Sequence, residues 1–171
     1  MDLVVDCSRK GVNLGLYANG AGYELSEPNA KGDELNLLLD RLLNENNFAL
    51  EQLKRILLTL GPGSFTGIRA GIAFCEGLCF SGKRTLHGIS TLKAFAMSYG
   101  KEIILHARAN FYYVGSLQNE KLAKFEIPPQ THETLPITPL AKLIDSISPS
   151  RIQKANYLMN PYEKSTGSAQ D

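Results

Sequence analysis

A glycine-rich loop at residues 61–67, here called the glycine loop, is the first segment that could do chemistry. It lies between an apolar run and an apolar helical pattern, and backbone N–H groups at the start of a helix bind anions. The loop lacks the lysine of a P-loop, because Ile68 follows its last glycine. Thr66 replaces the third glycine of a dinucleotide fingerprint, and Pro62 replaces a glycine required in a nucleophile elbow. A tight turn in which Ser64 caps the helix is therefore favoured over a working phosphate site.

Asp6 is the second candidate, because it ends the first predicted strand. A carboxylate there could hold a metal ion or act as a base in a nucleotide-binding fold. The alternative is a turn in which the carboxylate accepts hydrogen bonds from Ser8 or Arg9. This alternative is favoured, since no second acid follows a recognisable strand end. A vestigial nucleotide site, if retained, is expected to comprise Asp6, Ser8, Gly61, Gly63 and Ser64.

Neither the cysteines nor the histidines have the spacing of a metal site. Cys7, Cys75 and Cys79 form no C-x-x-C pair, and the three histidines are scattered. We therefore expect reduced, mostly buried thiols, no metal and no cofactor.

The composition is that of an ordinary globular protein of 171 residues, 43% hydrophobic and 20% charged. Eighteen Lys and Arg against seventeen Asp and Glu leave a net charge of +1, which disfavours a main role in binding nucleic acid. No apolar run reaches the ~20 residues of a membrane span. The N-terminus also lacks the pattern of a signal peptide. The expectation is a cytoplasmic protein with no membrane partner, in which any RNA is read mainly by another subunit.

Hydrophobic periodicity predicts an α/β fold with a reduced second half. Strands are expected at 3–5, 12–17, 23–25, 56–60, 85–88, 103–107 and 111–117. Helices are expected at 33–44, 65–80, 90–98 and 140–147, with a short one from 47 or 49 to 55. The expected domains are a first lobe at 1–100, a reduced second lobe at 101–164 and a flexible tail at 165–171.

The helix at 65–80 is unusually apolar, because from Ile68 to Phe80 its only charges are Arg69 and Glu76. A helix lying on a sheet needs only about a third of its circumference apolar. A partner face or homodimer face is therefore favoured over a simple core, and Leu37 indicates a further contact on the helix at 33–44. The residues expected to contact the partner are Leu35, Leu38, Leu39, Leu42, Ile68, Arg69, Ile72, Cys75, Glu76 and Cys79.

The glycine loop and its helix resemble the signature of the TsaB (YeaZ) family. The resemblance rests on Gly-Pro-Gly-Ser-Phe-Thr-Gly-Ile-Arg at 61–69 followed by Gly-Ile-Ala at 71–73. Val-Asp-Cys-Ser at 5–8, Gly-Ile-Ser-Thr-Leu at 88–92 and Tyr-Leu at 157–158 also resemble family segments. The sequence departs from the family at His106, where an aspartate is usual, and in its second lobe, which is several tens of residues shorter.

The resemblance implies an actin-like (ASKHA), ribonuclease-H-like α/β lobe with a shortened second lobe. It further implies a non-catalytic scaffold role in making threonylcarbamoyladenosine in tRNA, with no catalytic residue in this chain. The implied partners are a TsaD-type transferase, paired through helices of the first lobes, and a TsaE-type ATPase. A homodimer is expected when the chain is alone, and tRNA contact only through the complex. The alternative is a small actin-like-fold ATPase or kinase that uses Asp6 and the glycine loop.

Overall fold

The first layer of the structure is a five-stranded mixed sheet. The computed structural model describes residues 1–150 and 153–157. The strands are β1 (Asp2–Asp6), β2 (Val12–Ala18), β3 (Ala21–Glu27), β4 (Arg55–Thr59) and β5 (Thr85–Ile89). β1, β2 and β3 form an antiparallel meander, whereas β4 and β5 run parallel to β1, which gives the order β3-β2-β1-β4-β5. Asn19 and Gly20 adopt the positive φ angles, 54° and 80°, that a two-residue hairpin requires.

Helices cover both faces of this sheet. They are α1 (Leu35–Glu45), α2 (Phe65–Cys79) and α3 (Thr91–Tyr99), with 3-10 segments at Gly32–Glu34, Leu50–Gln52 and Thr138–Ser146. α1 and α2 pack on one face, where Ile56 and Leu58 of β4 point. α3 and the segment Thr138–Ser146 pack on the other face, with Leu57. β4 is therefore buried on both faces, as its continuous apolar run favours.

A second, three-stranded antiparallel sheet packs against α3. Its strands are β6 (Ile103–Arg108), β7 (Phe111–Gly115) and β8 (Glu120–Lys124), in that order. Leu92 of α3 lies so close to Gly115 that a Cβ there would come within 2.3 Å of it. The outer edge of β6 binds residues 132–133.

Most predicted elements form within a few residues of their expected bounds, with three differences. The short helix at 47–55 is only the 3-10 turn Leu50–Gln52, and the helix at 140–147 is the 3-10 segment Thr138–Ser146. β8 is a strand that the sequence did not predict. The expected tail at 165–171 and the family-like Leu158 lie outside the described residues. Among the described helices, none has the length and apolar character to cross a bilayer.

Candidate functional site

The Asp6 carboxylate at the end of β1 is fully buried and fully hydrogen-bonded. Its Oδ1 accepts from the Ser8 backbone N–H at 3.0 Å, the Ser8 hydroxyl at 2.6 Å and the Thr59 hydroxyl at 2.7 Å. Its Oδ2 accepts from Nε of Arg9 at 2.5 Å. The turn with Ser8 and Arg9 is therefore confirmed. We refer to Asp6, Ser8, Arg9 and Thr59 as the Asp6 network.

The Asp6 network keeps its carboxylate charged. Burial by itself raises the pKa of Asp6, but the Arg9 guanidinium and the hydroxyls of Ser8 and Thr59 outweigh that effect, so this pKa lies below its ordinary value. The same burial, with the Asp6 charge nearby, raises the pKa of the Cys7 thiol to about 12. The carboxylate is thus neutralised by a side chain of the chain itself.

The glycine loop packs on the turn that follows β1. The backbone N–H of Ser64 donates to the Ser8 carbonyl at 2.7 Å, and the Ser64 hydroxyl accepts from the Gly67 N–H at 3.2 Å. A Cβ at Gly63 would lie 2.0 Å from the Ser8 oxygen, and one at Gly67 would lie 2.1 Å from the Cys7 oxygen. These glycines are required because backbone carbonyls approach them. The prediction that Ser64 caps the helix is confirmed.

Hydroxyl groups connect the glycine loop to α3. The Gly61 N–H donates to the Thr91 hydroxyl at 3.1 Å, and that hydroxyl donates to the Ser8 hydroxyl at 2.8 Å. The Thr91 backbone N–H donates to the Gly61 carbonyl at 2.7 Å. The amides of Gly61, Ser64 and Gly67 are therefore already paired within the protein.

An open cleft of about 450 Å³ lies between the two sheets, beside the turn that follows β1. Ser8, Gly63 and Ser64 of the expected vestigial site line this cleft. Asp6 and Gly61 do not line it, because Asp6 is sealed behind the turn. Within residues 1–150 and 153–157, no three acidic, histidine or cysteine side chains are grouped so as to hold a metal ion.

Two residues of the cleft wall, His106 and Glu133, have no role in the sequence predictions. The His106 backbone N–H donates to Oε1 of Glu133 at 2.7 Å. Burial raises the pKa of Glu133, although the His106 N–H and the Arg9 charge oppose the effect. Glu133 lies in a proline-rich stretch without periodicity, so no sequence signal places it beside the cleft.

The ten residues expected to contact a partner differ in their exposure to solvent. Six lie in the chain's own core with at most 8% exposure: Leu35, Leu38, Leu39, Leu42, Ile68 and Cys75. Ile72, Glu76 and Cys79 are half-buried, and Arg69 is exposed. The expectation that the six buried side chains touch a partner therefore needs correction. The four leucines and Cys75 belong to the core between α1, α2 and the sheet, and Ile68 is buried beside Gly61 of the glycine loop.

The outward face of α2 carries Arg69, Ala73 and Gly77, and Phe80 follows at the C-cap of the helix; we call these four residues the exposed stripe. All four are exposed, and their spacing places them on one side of the helix. Phe80 is 94% exposed, and no atom lies within 4 Å of a Cβ built at Gly77. On α1, Leu37 is 71% exposed, because it lies off the helix face that carries the buried leucines. The outward surface of α2 thus consists largely of apolar and small residues, whereas that of α1 is polar apart from Leu37.

The remaining polar contacts of α2 are made within the chain. Glu76 accepts a hydrogen bond from the Gln153 backbone N–H at 3.1 Å. The Arg69 guanidinium lies 4.4 Å from the centre of the Phe65 ring, and that ring lies 5.3 Å from the ring of Tyr157. Arg69 is thereby held in place on the exposed stripe while its charge faces solvent.

Known proteins resemble this chain in sequence and in fold. The family model TsaD, described as tRNA N6-adenosine threonylcarbamoyltransferase, matches residues 32–124, which are 93 of the 171 residues. Proteins titled "tRNA threonylcarbamoyladenosine biosynthesis protein TsaB" match as well. That of Buchnera aphidicola is 32% identical over 111 residues, 61% of this chain and 53% of that protein. That of Haemophilus influenzae is 26% identical over 129 residues, 70% of this chain and 55% of that protein. The chain belongs to the TsaB (YeaZ) family.

Solved structures of this family confirm the fold. YeaZ from Pseudomonas aeruginosa superposes with a TM-score of 0.60 at 23% identity, covering 76% of this chain and 71% of that one. A structure titled as an uncharacterized protein with similarity to peptidase YEAZ from Pseudomonas aeruginosa gives 0.61 at 24% identity, covering 75% and 70%. The expected actin-like α/β fold is confirmed. The chain spans about half the length of the curated TsaB relatives it matches.

Proposed function

We propose that this chain acts in the biosynthesis of threonylcarbamoyladenosine in tRNA, as a non-catalytic scaffold subunit that binds a TsaD-type transferase and supports its activity. The names of the curated relatives support the pathway. Membership in the family supports a heterodimer with a TsaD-type partner. In this proposal the chemical step belongs to the partner.

The exposed stripe of α2 is the observation that carries the proposal. Phe80 leaves a large apolar side chain in water, and burying such a side chain stabilises a complex by about 1.5–3 kcal/mol. Ala73 and Gly77 lie between Arg69 and Phe80, and small residues there allow a helix of another molecule to approach closely. An apolar, flat helix face of this kind is typical of a protein interface.

The sealed carboxylate of Asp6 supports a role without catalysis. A metal-dependent ATPase or kinase needs carboxylate oxygens that can reach the ion, whereas both oxygens of Asp6 accept bonds from the Asp6 network. The amides of Gly61 and Ser64 are paired as well. The alternative enzyme function therefore has no free acid at its expected position.

Further partners belong to the same proposal. When the transferase is absent, we expect the exposed stripe to bind a second copy of the chain about a two-fold axis. A TsaE-type ATPase joins the heterodimer, and tRNA contacts the chain only within the complex, in keeping with its net charge of +1. We propose a cytoplasmic location for this complex.

An omission experiment tests the proposed function. The modification reaction is reconstituted from purified tRNA and partner proteins, with and without this chain, and threonylcarbamoyladenosine is measured by nucleoside mass spectrometry. Loss of product on omission, and no product from this chain alone, is the expected result. Undiminished product without the chain, or Mg-dependent ATP hydrolysis by the pure chain, would overturn the scaffold assignment.

A further inference from the structure

Arg9 is a buried cation that reaches from the first sheet into the second half of the chain. Its side chain is only 2% exposed. While Nε binds Asp6, Nη1 donates to the carbonyls of Glu133 and Leu135, each at 2.8 Å. The guanidinium also lies 4.3 Å from the centre of the Phe95 ring of α3. One side chain thus joins β1, α3 and the loop that leads back from the second sheet.

That loop, residues 132–138, is here called the return segment. On one side it completes the edge of β6: the His132 N–H donates to the Ile104 carbonyl at 2.8 Å, and the Ile104 N–H donates to Nδ1 of His132 at 3.0 Å. The return segment is therefore bound to the second sheet. A contact that fixes this segment on the first sheet also fixes the second sheet there.

On its other side the return segment is bound by side chains of the first sheet and α3. Glu24 accepts from the backbone N–H groups of Ile137 and Thr138 at 2.6 and 2.5 Å. The Tyr99 hydroxyl donates to the Pro136 carbonyl at 2.7 Å. The return segment is thus hydrogen-bonded along its length by three side chains, those of Arg9, Tyr99 and Glu24. Of these three, only Arg9 is buried.

A cleft between two lobes commonly closes around a ligand. Here a side chain of the protein itself connects the two sides of the cleft. The guanidinium of Arg9 neutralises Asp6 of the first sheet and at the same time donates to the Glu133 carbonyl on the other side. We propose that Arg9 is an internal counter-ion that fixes the second sheet on the first, so that the inter-sheet cleft keeps one width without any bound nucleotide or metal.

Amide hydrogen exchange measures this fixation directly. The amides of Ile137 and Thr138 report separation of the return segment from the first sheet, because both donate to the Glu24 carboxylate of β3. The amides of β1 and β4 report opening of the first sheet. Local opening raises exchange in the first set and leaves the second set slow.

Three variants separate fixation from the burial of an unpaired charge. Arg9→Met removes the charge but keeps an apolar stem against Phe95. The double variant Asp6→Asn with Arg9→Met also removes the carboxylate that would otherwise be buried without a partner. Lys10→Met is the matched control, because Lys10 is the exposed neighbour in the same turn.

We expect the double variant to exchange at least about tenfold faster in the return segment, which corresponds to about 1.4 kcal/mol. Exchange in β4 should stay within about twofold of the wild type, and Lys10→Met should match the wild type throughout. Unchanged exchange of the return segment in the double variant would overturn the proposal. So would a marked slowing of that segment in the wild type on adding Mg·ADP, because a ligand rather than Arg9 would then close the cleft.

Discussion

Enlarging Gly77 offers a sharp test of the exposed stripe, because the change affects binding and folding in opposite directions. A Cβ at this position meets no atom within 4 Å, so Gly77→Leu fits the free chain without strain. Gly77 lies inside α2, and replacing an exposed helical glycine by leucine stabilises a helix by about 0.7–1 kcal/mol. The isolated variant should therefore melt about 2–4 °C higher than the wild type.

Binding should weaken in the same variant. Packed helix axes lie 8–10 Å apart depending on the side chains at the contact, so small facing residues allow the closest approach. Gly77 is the smallest residue of the exposed stripe. Forcing extra carbon atoms into a close-packed contact costs about 1–3 kcal/mol. The dissociation constant for a TsaD-type transferase should therefore rise about 5- to 150-fold.

Calorimetric titration of the transferase with each purified variant gives the dissociation constant, and thermal unfolding followed by circular dichroism gives the stability. Lys93→Leu is the matched control, because it adds the same side chain at an exposed helical position on the opposite face of the sheet. Binding of Gly77→Leu within about twofold of the wild type, with a raised melting temperature, would show that α2 is not the docking surface.

Three further outcomes follow from burial and charge. Alkylation of the native chain at neutral pH should modify Cys79 alone, because the other two thiols are buried and the pKa of Cys7 is about 12; intact mass should show one adduct, and a second would contradict the structure. Since the pKa of Asp6 is lowered in the folded chain, the stabilisation from its pair with Arg9 is present above pH ~3.8 and lost as pH falls below it; Asp6→Asn should flatten that part of the acid unfolding curve, and an unchanged acid slope would contradict this. Phe80→Ser should weaken any dimer of the isolated chain at least about a hundredfold, since two copies of the ring are buried; sedimentation equilibrium that shows equal self-association would exclude Phe80 from the dimer face.

The sequence predicts the first sheet well, because its strands have unambiguous patterns. β4 is a continuous apolar run and forms a strand buried on both faces. The Asn19-Gly20 pair supplies the two positive φ angles of the hairpin. Ser64 and Ser90 cap the helices that they precede. In each case the local preference and the tertiary environment favour the same conformation.

β8 and the 3-10 segment Thr138–Ser146 show why the second half is harder to predict. β8 consists of Glu-Lys-Leu-Ala-Lys, which contains no β-branched or aromatic residue. It becomes a strand because β7 provides its hydrogen-bonding partners. The 3-10 segment has apolar residues at helical spacing and begins beside Pro139, but its fine geometry is set by packing on the sheet.

The residues expected to contact a partner show that helical periodicity does not tell which apolar face of a helix is buried on the chain's own sheet. Helical spacing correctly groups Leu35, Leu38 and Leu42 on one face of α1, but an amphipathic helix buries that face on its own sheet. On α2 both the inward and the outward faces are apolar or small, so the pattern alone cannot tell them apart. The structure resolves this, because Ile68 and Cys75 point to the sheet while Ala73 and Gly77 point away from it.

The glycine loop illustrates why a glycine-rich turn between strand and helix is weak support for phosphate binding. Gly63 and Gly67 are needed because the carbonyl oxygens of Ser8 and Cys7 approach where a side chain would otherwise lie. A bound phosphate oxygen would also require glycine at these positions, so the glycines do not distinguish a loop that packs on carbonyl groups from a loop that binds phosphate. Arg9 does: it follows Asp6 by three residues, so the chain carries its own cation within reach of the carboxylate. In this chain the arginine three residues after the strand-end aspartate is therefore the residue that indicates a sealed carboxylate rather than a phosphate site.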